Sequence, residues 1–95
     1  MSSETHSLRW GQARRIAFID LRLQYDGRLN RRDLIDFFGI SVPQASSDLA
    51  EYVKIAPGNM EYDPSARAYR AQPGFLPVSG RATSSQYLFE LYGLE

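Results

Sequence analysis

The chain of 95 residues contains no cysteine. That excludes a disulfide framework, a thiolate metal site and a cysteine nucleophile. Its one histidine, His6, lies in a polar stretch at the N-terminus and reads as solvated. The body of the chain therefore has no imidazole for acid–base work. No glycine-rich phosphate loop and no metal-ligand spacing appear, so neither an enzyme nor a cofactor or metal is expected. The carboxylates Asp33 and Asp36 fit a solvated helix face better than a catalytic pair. No apolar run approaches the roughly 20 residues needed to span a bilayer, and no signal-peptide pattern opens the chain. A cytoplasmic, bacterial-type protein with no membrane partner fits. Net charge is also absent, since 11 basic residues balance 11 acidic ones. The distribution is uneven, however. Arg9 to Arg32 carry seven arginines against Asp20 and Asp26, a net +5, and the remainder carries −5. Lysine is nearly missing: Lys54 stands alone among the cations, and the other ten are arginine. The planar guanidinium donates two parallel bonds to a phosphate, so a zero total does not exclude nucleic acid.

The length sets one domain with one core. Its most informative stretch is Gly39-Ile40-Ser41-Val42-Pro43-Gln44-Ala45-Ser46-Ser47-Asp48-Leu49. Gly39 follows the apolar end of a helix, Leu34-Ile35-Asp36-Phe37-Phe38, where a left-handed residue commonly closes the last turn. Ile40 plugs the inside of the turn. Ser41 caps the next helix, and Pro43 sits in its first turn, where a missing N–H costs nothing. Ala45, Leu49 and Tyr52 recur at helical spacing and face inward. Gln44, Ser46 and Ser47 face out. This is the pattern of a helix-turn-helix whose second helix enters a DNA major groove, although an ordinary helical hairpin uses the same turn chemistry.

Residues 1–7 read as a flexible N-terminus. Leu8 to Tyr25 is a first helix with two apolar stripes. Leu8, Ile16, Ile19 and Leu23 form one; Trp10, Ala17, Phe18, Leu21 and Tyr25 form the other. One small core needs one stripe. The second implies a contact with the chain's own C-terminal segment or with another subunit. Asp26-Gly27 is a turn, Arg28-Leu29 a very short strand, and Asn30 a cap for a second helix with Asp33 three residues on. Arg31 and Arg32 lie in that helix's first turn, where the helix dipole does not favour them. The third helix runs from Val42 to about Tyr52 or Val53 and is stopped by Ala56-Pro57-Gly58. Met60 to Ala71 is a hairpin turning at Asp63-Pro64-Ser65. Three helices followed by a hairpin make a mainly α fold, a winged helix-turn-helix over 8–72. Residues 73–95 read as a connector and a C-terminal linker helix, Thr83 to Leu94.

Leu8-Arg9-Trp10-Gly11-Gln12, Gly27-Arg28-Leu29-Asn30-Arg31, Phe37-Phe38-Gly39-Ile40-Ser41-Val42-Pro43-Gln44-Ala45-Ser46, Asp48-Leu49, Tyr62-Asp63 and Arg67-Ala68-Tyr69 together resemble one family. It is the N-terminal domain of the WYL-domain transcriptional repressors of the CapW and BrxR type, which control bacterial phage-defence operons. The resemblance covers roughly Leu8 to Pro77. It implies a homodimer on an inverted repeat in its own promoter, and a downstream WYL domain that senses a ligand. The chain ends at Glu95, short of such a domain, and so reads as the DNA-binding part, with no small-molecule ligand of its own.

The expected partners are double-stranded DNA and a second copy of the chain; the alternative is a winged helix that docks proteins. A docking face would carry large apolar anchors, which Gln44, Ser46 and Ser47 do not supply. Pro43, Gln44, Ser46 and Ser47 are the expected base readers, Gln44 foremost because its amide both donates and accepts. Arg31, Arg32, Ser41, Arg67, Tyr69 and Arg70 are the expected DNA-backbone contacts. Trp10, Phe18, Leu21, Tyr87, Leu88 and Leu91 are the expected dimer contacts.

Overall fold

The computed structural model describes residues 2–78, with side chains from Gly11 onward. The linker helix and Tyr87, Leu88 and Leu91 lie outside the described residues, and the Trp10 side chain lies outside the described side chains. Helix α1 (Ser2–Asp26) is followed by strand β1 (Arg28–Leu29), helix α2 (Arg31–Phe38), helix α3 (Val42–Ile55) and strands β2 (Met60–Asp63) and β3 (Ala68–Ala71). This is a mainly helical winged-helix architecture, as the residue pattern predicts. Helix α1 starts six residues before its apolar periodicity does. Residues 2–7 hold no proline or glycine, so nothing in them breaks the helix. Helix α3 likewise continues past Val53 to Ile55.

Burial sorts the two stripes of α1. Ile16, Ile19 and Leu23 are fully buried, and Ala13 and Ala17 join them. Leu21 is 45 % exposed and Tyr25 76 %. Helix α2 buries Leu34 outright, with Ile35 and Phe38 packed at the core's edge. Phe37 points out, 68 % exposed, and stacks on Phe18 at 4.7 Å between centroids. The Arg22 guanidinium lies over the Phe18 ring and bridges Asp26 at 2.6 Å and Asp33 at 3.4 Å. It thereby ties α1 to the start of α2. That start is a full capping box: Asn30 accepts from the Asp33 N–H, and Asp33 accepts from the Asn30 N–H.

Strand β3 lies between β1 and β2 in a three-stranded antiparallel sheet. Leu29 pairs with Tyr69, and Tyr62 pairs with the same residue from the other side. The two-residue strand β1 therefore fastens the hairpin to the helices. Without it the hairpin would have only its own two strands, a marginal arrangement in water.

Three polar residues lie inside this core: Asp20, Asp48 and Asn59. Asp20 accepts from the Tyr52 hydroxyl at 2.6 Å and from the Val78 N–H at 3.0 and 3.1 Å. Asn59 donates to the Tyr52 hydroxyl and to the Leu76 carbonyl, and accepts from the Leu76 N–H. The first part of the connector is thus bonded into the body, with Val78 buried and Phe75 packed on the core. The packed unit reaches beyond Gln72. Replacing Tyr52 by phenylalanine removes a donor from Asp20 and an acceptor from Asn59 while leaving the ring. We expect a loss of about 1–3 kcal/mol, read by denaturant unfolding as a lower midpoint at unchanged slope. An unchanged midpoint would show that the hydroxyl is dispensable.

Candidate nucleic-acid interface

The turn between α2 and α3 follows from three residues. Gly39 adopts φ 67°, and its N–H donates to the Ile35 carbonyl at 2.8 Å. A Cβ there would meet nothing within 4 Å, so glycine is needed for its backbone alone. Ile40 packs against the core. The Ser41 hydroxyl accepts from the Gln44 N–H at 3.2 Å, and Pro43 is the second residue of α3. Ala45, Leu49 and Tyr52 are buried. The first two turns of α3 therefore present Pro43 and Ser47 fully, and Gln44 and Ser46 in part. All four expected base readers share one surface. Ser41 is exposed beside them, but its hydroxyl is already engaged as the cap.

Beside that surface runs an open groove of about 450 Å³. Asn30, Arg31, Arg32 and Ile35 form one wall, Val42 stands at the start of α3, and Tyr62, Arg67 and Tyr69 form the hairpin side. Four of the expected backbone contacts, Arg31, Arg32, Arg67 and Tyr69, thus meet in one place although they lie 38 residues apart at the extremes. Among the described residues, Arg31 and Arg67 have no carboxylate within ion-pair distance. Arg31 donates to the Ser46 hydroxyl at 3.2 Å, linking the groove to α3. Arg32 faces Asp36 at 3.8 Å, both well exposed, a pair of little strength. The hairpin side is aromatic, with Tyr62 edge-on to Tyr69 at 5.0 Å.

Arg70 is not brought to this groove. It follows Tyr69 along β3 and so faces the other side of the sheet, and its guanidinium is held by Asp63 at 2.8 Å. Asp63 organises the hairpin turn. It accepts from the Ser65 hydroxyl and the Ser65 N–H, and more weakly from the Ala66 N–H. The turn closes with Arg67 at φ 54°, the single non-glycine residue with positive φ among the described residues. That conformation costs an arginine roughly 1–2 kcal/mol and fixes where its side chain leaves the loop.

One buried residue behind this surface is not among the expected site residues. Asp48 is completely buried on the inner side of α3. It accepts from Arg15 Nε at 2.5 Å and Nη2 at 3.3 Å, from Gln12 Nε2 at 3.1 Å and from Gln44 Nε2 at 3.0 Å. The signal for it is a charge standing among inward positions, between Ala45 and Tyr52.

A family model described as the BrxR transcriptional regulator winged helix-turn-helix domain matches residues 11–92. The chain is 53 % identical over 93 residues to a DNA-binding transcriptional repressor CapW from Stenotrophomonas maltophilia, covering 98 % of this chain and 31 % of that protein. It is 58 % identical over 83 residues to the protein of that name from Escherichia coli, covering 87 % and 28 %. The Pseudomonas aeruginosa repressor of the same name is 55 % identical over 83 residues, again covering 87 % and 28 %. The chain spans about three-tenths of the length of these curated relatives.

The Asp63 carboxyl is drawn from 3.8 down to about 2, first by the Ser65 hydroxyl and then by Arg70. A lowered folded pKa makes the turn's contribution complete above the unfolded value and lost as pH falls through the folded one. The carboxyl-carbon resonance of Asp63 should therefore titrate near pH 2, and the hairpin amides should stay unchanged from pH 7 to pH 4. A midpoint at 3.8 would show that the turn is open in solution.

Proposed function

The chain belongs to the family of BrxR-type winged helix-turn-helix domains, and from that membership we propose that it is the sequence-specific, double-stranded-DNA-binding domain of a bacterial transcriptional repressor. The observation that carries the reading is the groove. It sets arginines from α2 and the hairpin beside the start of α3, where Arg31 reaches Ser46. In this reading α3 enters the major groove with Gln44 as its principal base reader, and Pro43, Ser46 and Ser47 beside it. Arg31, Arg32 and Arg67 neutralise phosphates along the groove, with Ser41 and Tyr69 as polar neighbours. Arg70 takes part only if Asp63 releases it. The protein-docking alternative finds less support, because the outer start of α3 has Val42 as its one sizeable apolar side chain.

We further propose that two copies bind an inverted repeat. The support is apolar surface that the domain's own core leaves uncovered: Leu21, Tyr25 and the Phe37 ring stacked on Phe18. Trp10, Tyr87, Leu88 and Leu91 are the remaining members of this proposed interface. A two-fold axis there would set the half-site spacing at about one helical turn or a multiple of it.

Binding to a duplex selected from a random pool tests the reading. Arg31→Ala, Arg32→Ala and Arg67→Ala should each weaken selected and random duplexes alike, and each should flatten the salt slope by about one unit. Gln44→Ala should cost about 1–3 kcal/mol on the selected duplex and little on the random one. Unchanged slopes for all three arginine variants would move the phosphate surface elsewhere. Sedimentation of the 95-residue chain should give a dimer that Leu21→Glu dissociates; a monomer at high concentration would reject this interface.

A further inference from the structure

We infer that Asp48 is the positioning residue for sequence readout: it fixes which atoms of the Gln44 amide face the DNA. The inference rests on Gln44 as base reader. A glutamine amide has two ends of nearly equal shape and opposite hydrogen-bonding character. Free on a helix surface, it can turn either end to a base edge, and it then discriminates poorly. Here the amide is not free. Its Nε2 donates to Asp48 Oδ1 at 3.0 Å. An ionised carboxylate has no proton to donate, so only the NH₂ end of Gln44 can face it; the flipped amide would set Oε1 against Oδ1 in mutual repulsion. One N–H is consumed by Asp48. The second N–H and Oε1 are left, in one fixed order, for the groove. That donor–acceptor pair matches the N7 acceptor and N6 donor of adenine, and no other base offers both in that arrangement.

The carboxylate is itself held. Arg15 and Gln12 of α1 approach it from the other side, and Asp48 has no exposed surface. It cannot touch DNA, and the Arg15 guanidinium offsets its charge so that it does not repel phosphates. Two side chains of α1 thus hold Asp48, and Asp48 holds the amide. A loss of this chain frees Gln44 without removing it, which separates positioning from contact.

The test compares the unsubstituted chain, Asp48→Asn and Gln44→Ala on a selected duplex, on the same duplex with each base pair changed in turn, and on a random duplex. Asparagine keeps the shape of Asp48 but can present either a donor or an acceptor, so Gln44 is no longer constrained. Asp48→Asn should lower the selected-to-random affinity ratio by about tenfold, the scale of one lost bidentate pair. The loss should fall at the base pair where Gln44→Ala also loses discrimination. Affinity for the random duplex should hold or rise, because Arg15 loses its counter-charge; a merely structural role would lower both affinities together and overturn the inference. A second readout needs no variant. The heteronuclear NOE of the Gln44 side-chain nitrogen in the free protein should match the helix backbone, and the value of a freely rotating amide would overturn the proposal even if Asp48→Asn does not fold. Asp48→Asn retaining the preference that Gln44→Ala loses rejects positioning and leaves Gln44 as reader. A chain that binds both duplexes equally rejects the DNA reading and this inference together.

Discussion

A carboxylate sealed inside a domain of this size is costly unless it is answered, and the arrangement of α3 depends on how Asp48 is answered. Taking two charges out of water costs several kcal/mol per ion, so a buried pair contributes little net stability, whereas stranding one partner costs about 3–5 kcal/mol. The Asp48–Arg15 pair is therefore a constraint more than a source of stability. It permits one relation between α1 and α3, because a slid or rotated α3 would leave the carboxylate buried without its guanidinium. An apolar contact of the same area would tolerate such a shift at much lower cost. The surface that α3 presents is set by what α3 must not do on its inner side.

Asp20 performs a comparable task further along α1. It gathers the Tyr52 hydroxyl of α3 and the Val78 N–H of the connector, and Asn59 extends the network to Leu76. Helix α3 is thus fixed at its middle and near its C-terminal end by carboxylates of different origin: its own Asp48 reaching toward α1, and Asp20 of α1 reaching toward Tyr52. Each is met by groups that only ionised or strongly polar partners can satisfy. The hairpin joins the same body through β1 and through the Gln72 N–H bonded to the Asn59 carbonyl at 2.9 Å. Helix α3 and the hairpin are thus tied to one packed body.

The local chemistry of the chain was legible and its long-range pairing was not. Gly39, Ser41 and Pro43 specify the turn through backbone preferences confined to a few residues, and Asn30 with Asp33 specifies a cap in the same way; each is observed. The Arg28-Leu29 strand and the hairpin followed from turn residues and alternation. Asp48, Asp20 and Asn59 escape a reading of the sequence because each has a partner 17 to 58 positions away, beyond any periodic pattern. Helical spacing alone makes Gln44 an outward residue, and its tie to Asp48 needs the turn of helix that separates them to be taken together with α1. The same limit applies to Arg70, whose pairing with Asp63 depends on hairpin register.

Charge shows most clearly why whole-chain quantities mislead here. A neutral total suggests no electrostatic partner, and the +5 stretch from Arg9 to Arg32 suggests a broad basic face. The geometry spends part of that charge, although Arg14 and Arg28 stay exposed with no carboxylate in ion-pair distance among the described residues. Within that stretch Arg15 is absorbed by Asp48 and Arg22 by Asp26 and Asp33. Arg70, outside it, is absorbed by Asp63. What remains beside α3 is Arg31, Arg32 and Arg67, drawn from two distant segments and gathered by the docking of β1 against β3. Exposed charges separated by more than about 8 Å are largely screened at physiological salt. A phosphate at this groove would therefore respond to those three guanidinium groups far more than to the sum over 95 residues. Local concentration of charge, set by which arginines the fold leaves without a carboxylate or with only a weak, exposed one as at Arg32, governs what this surface can hold.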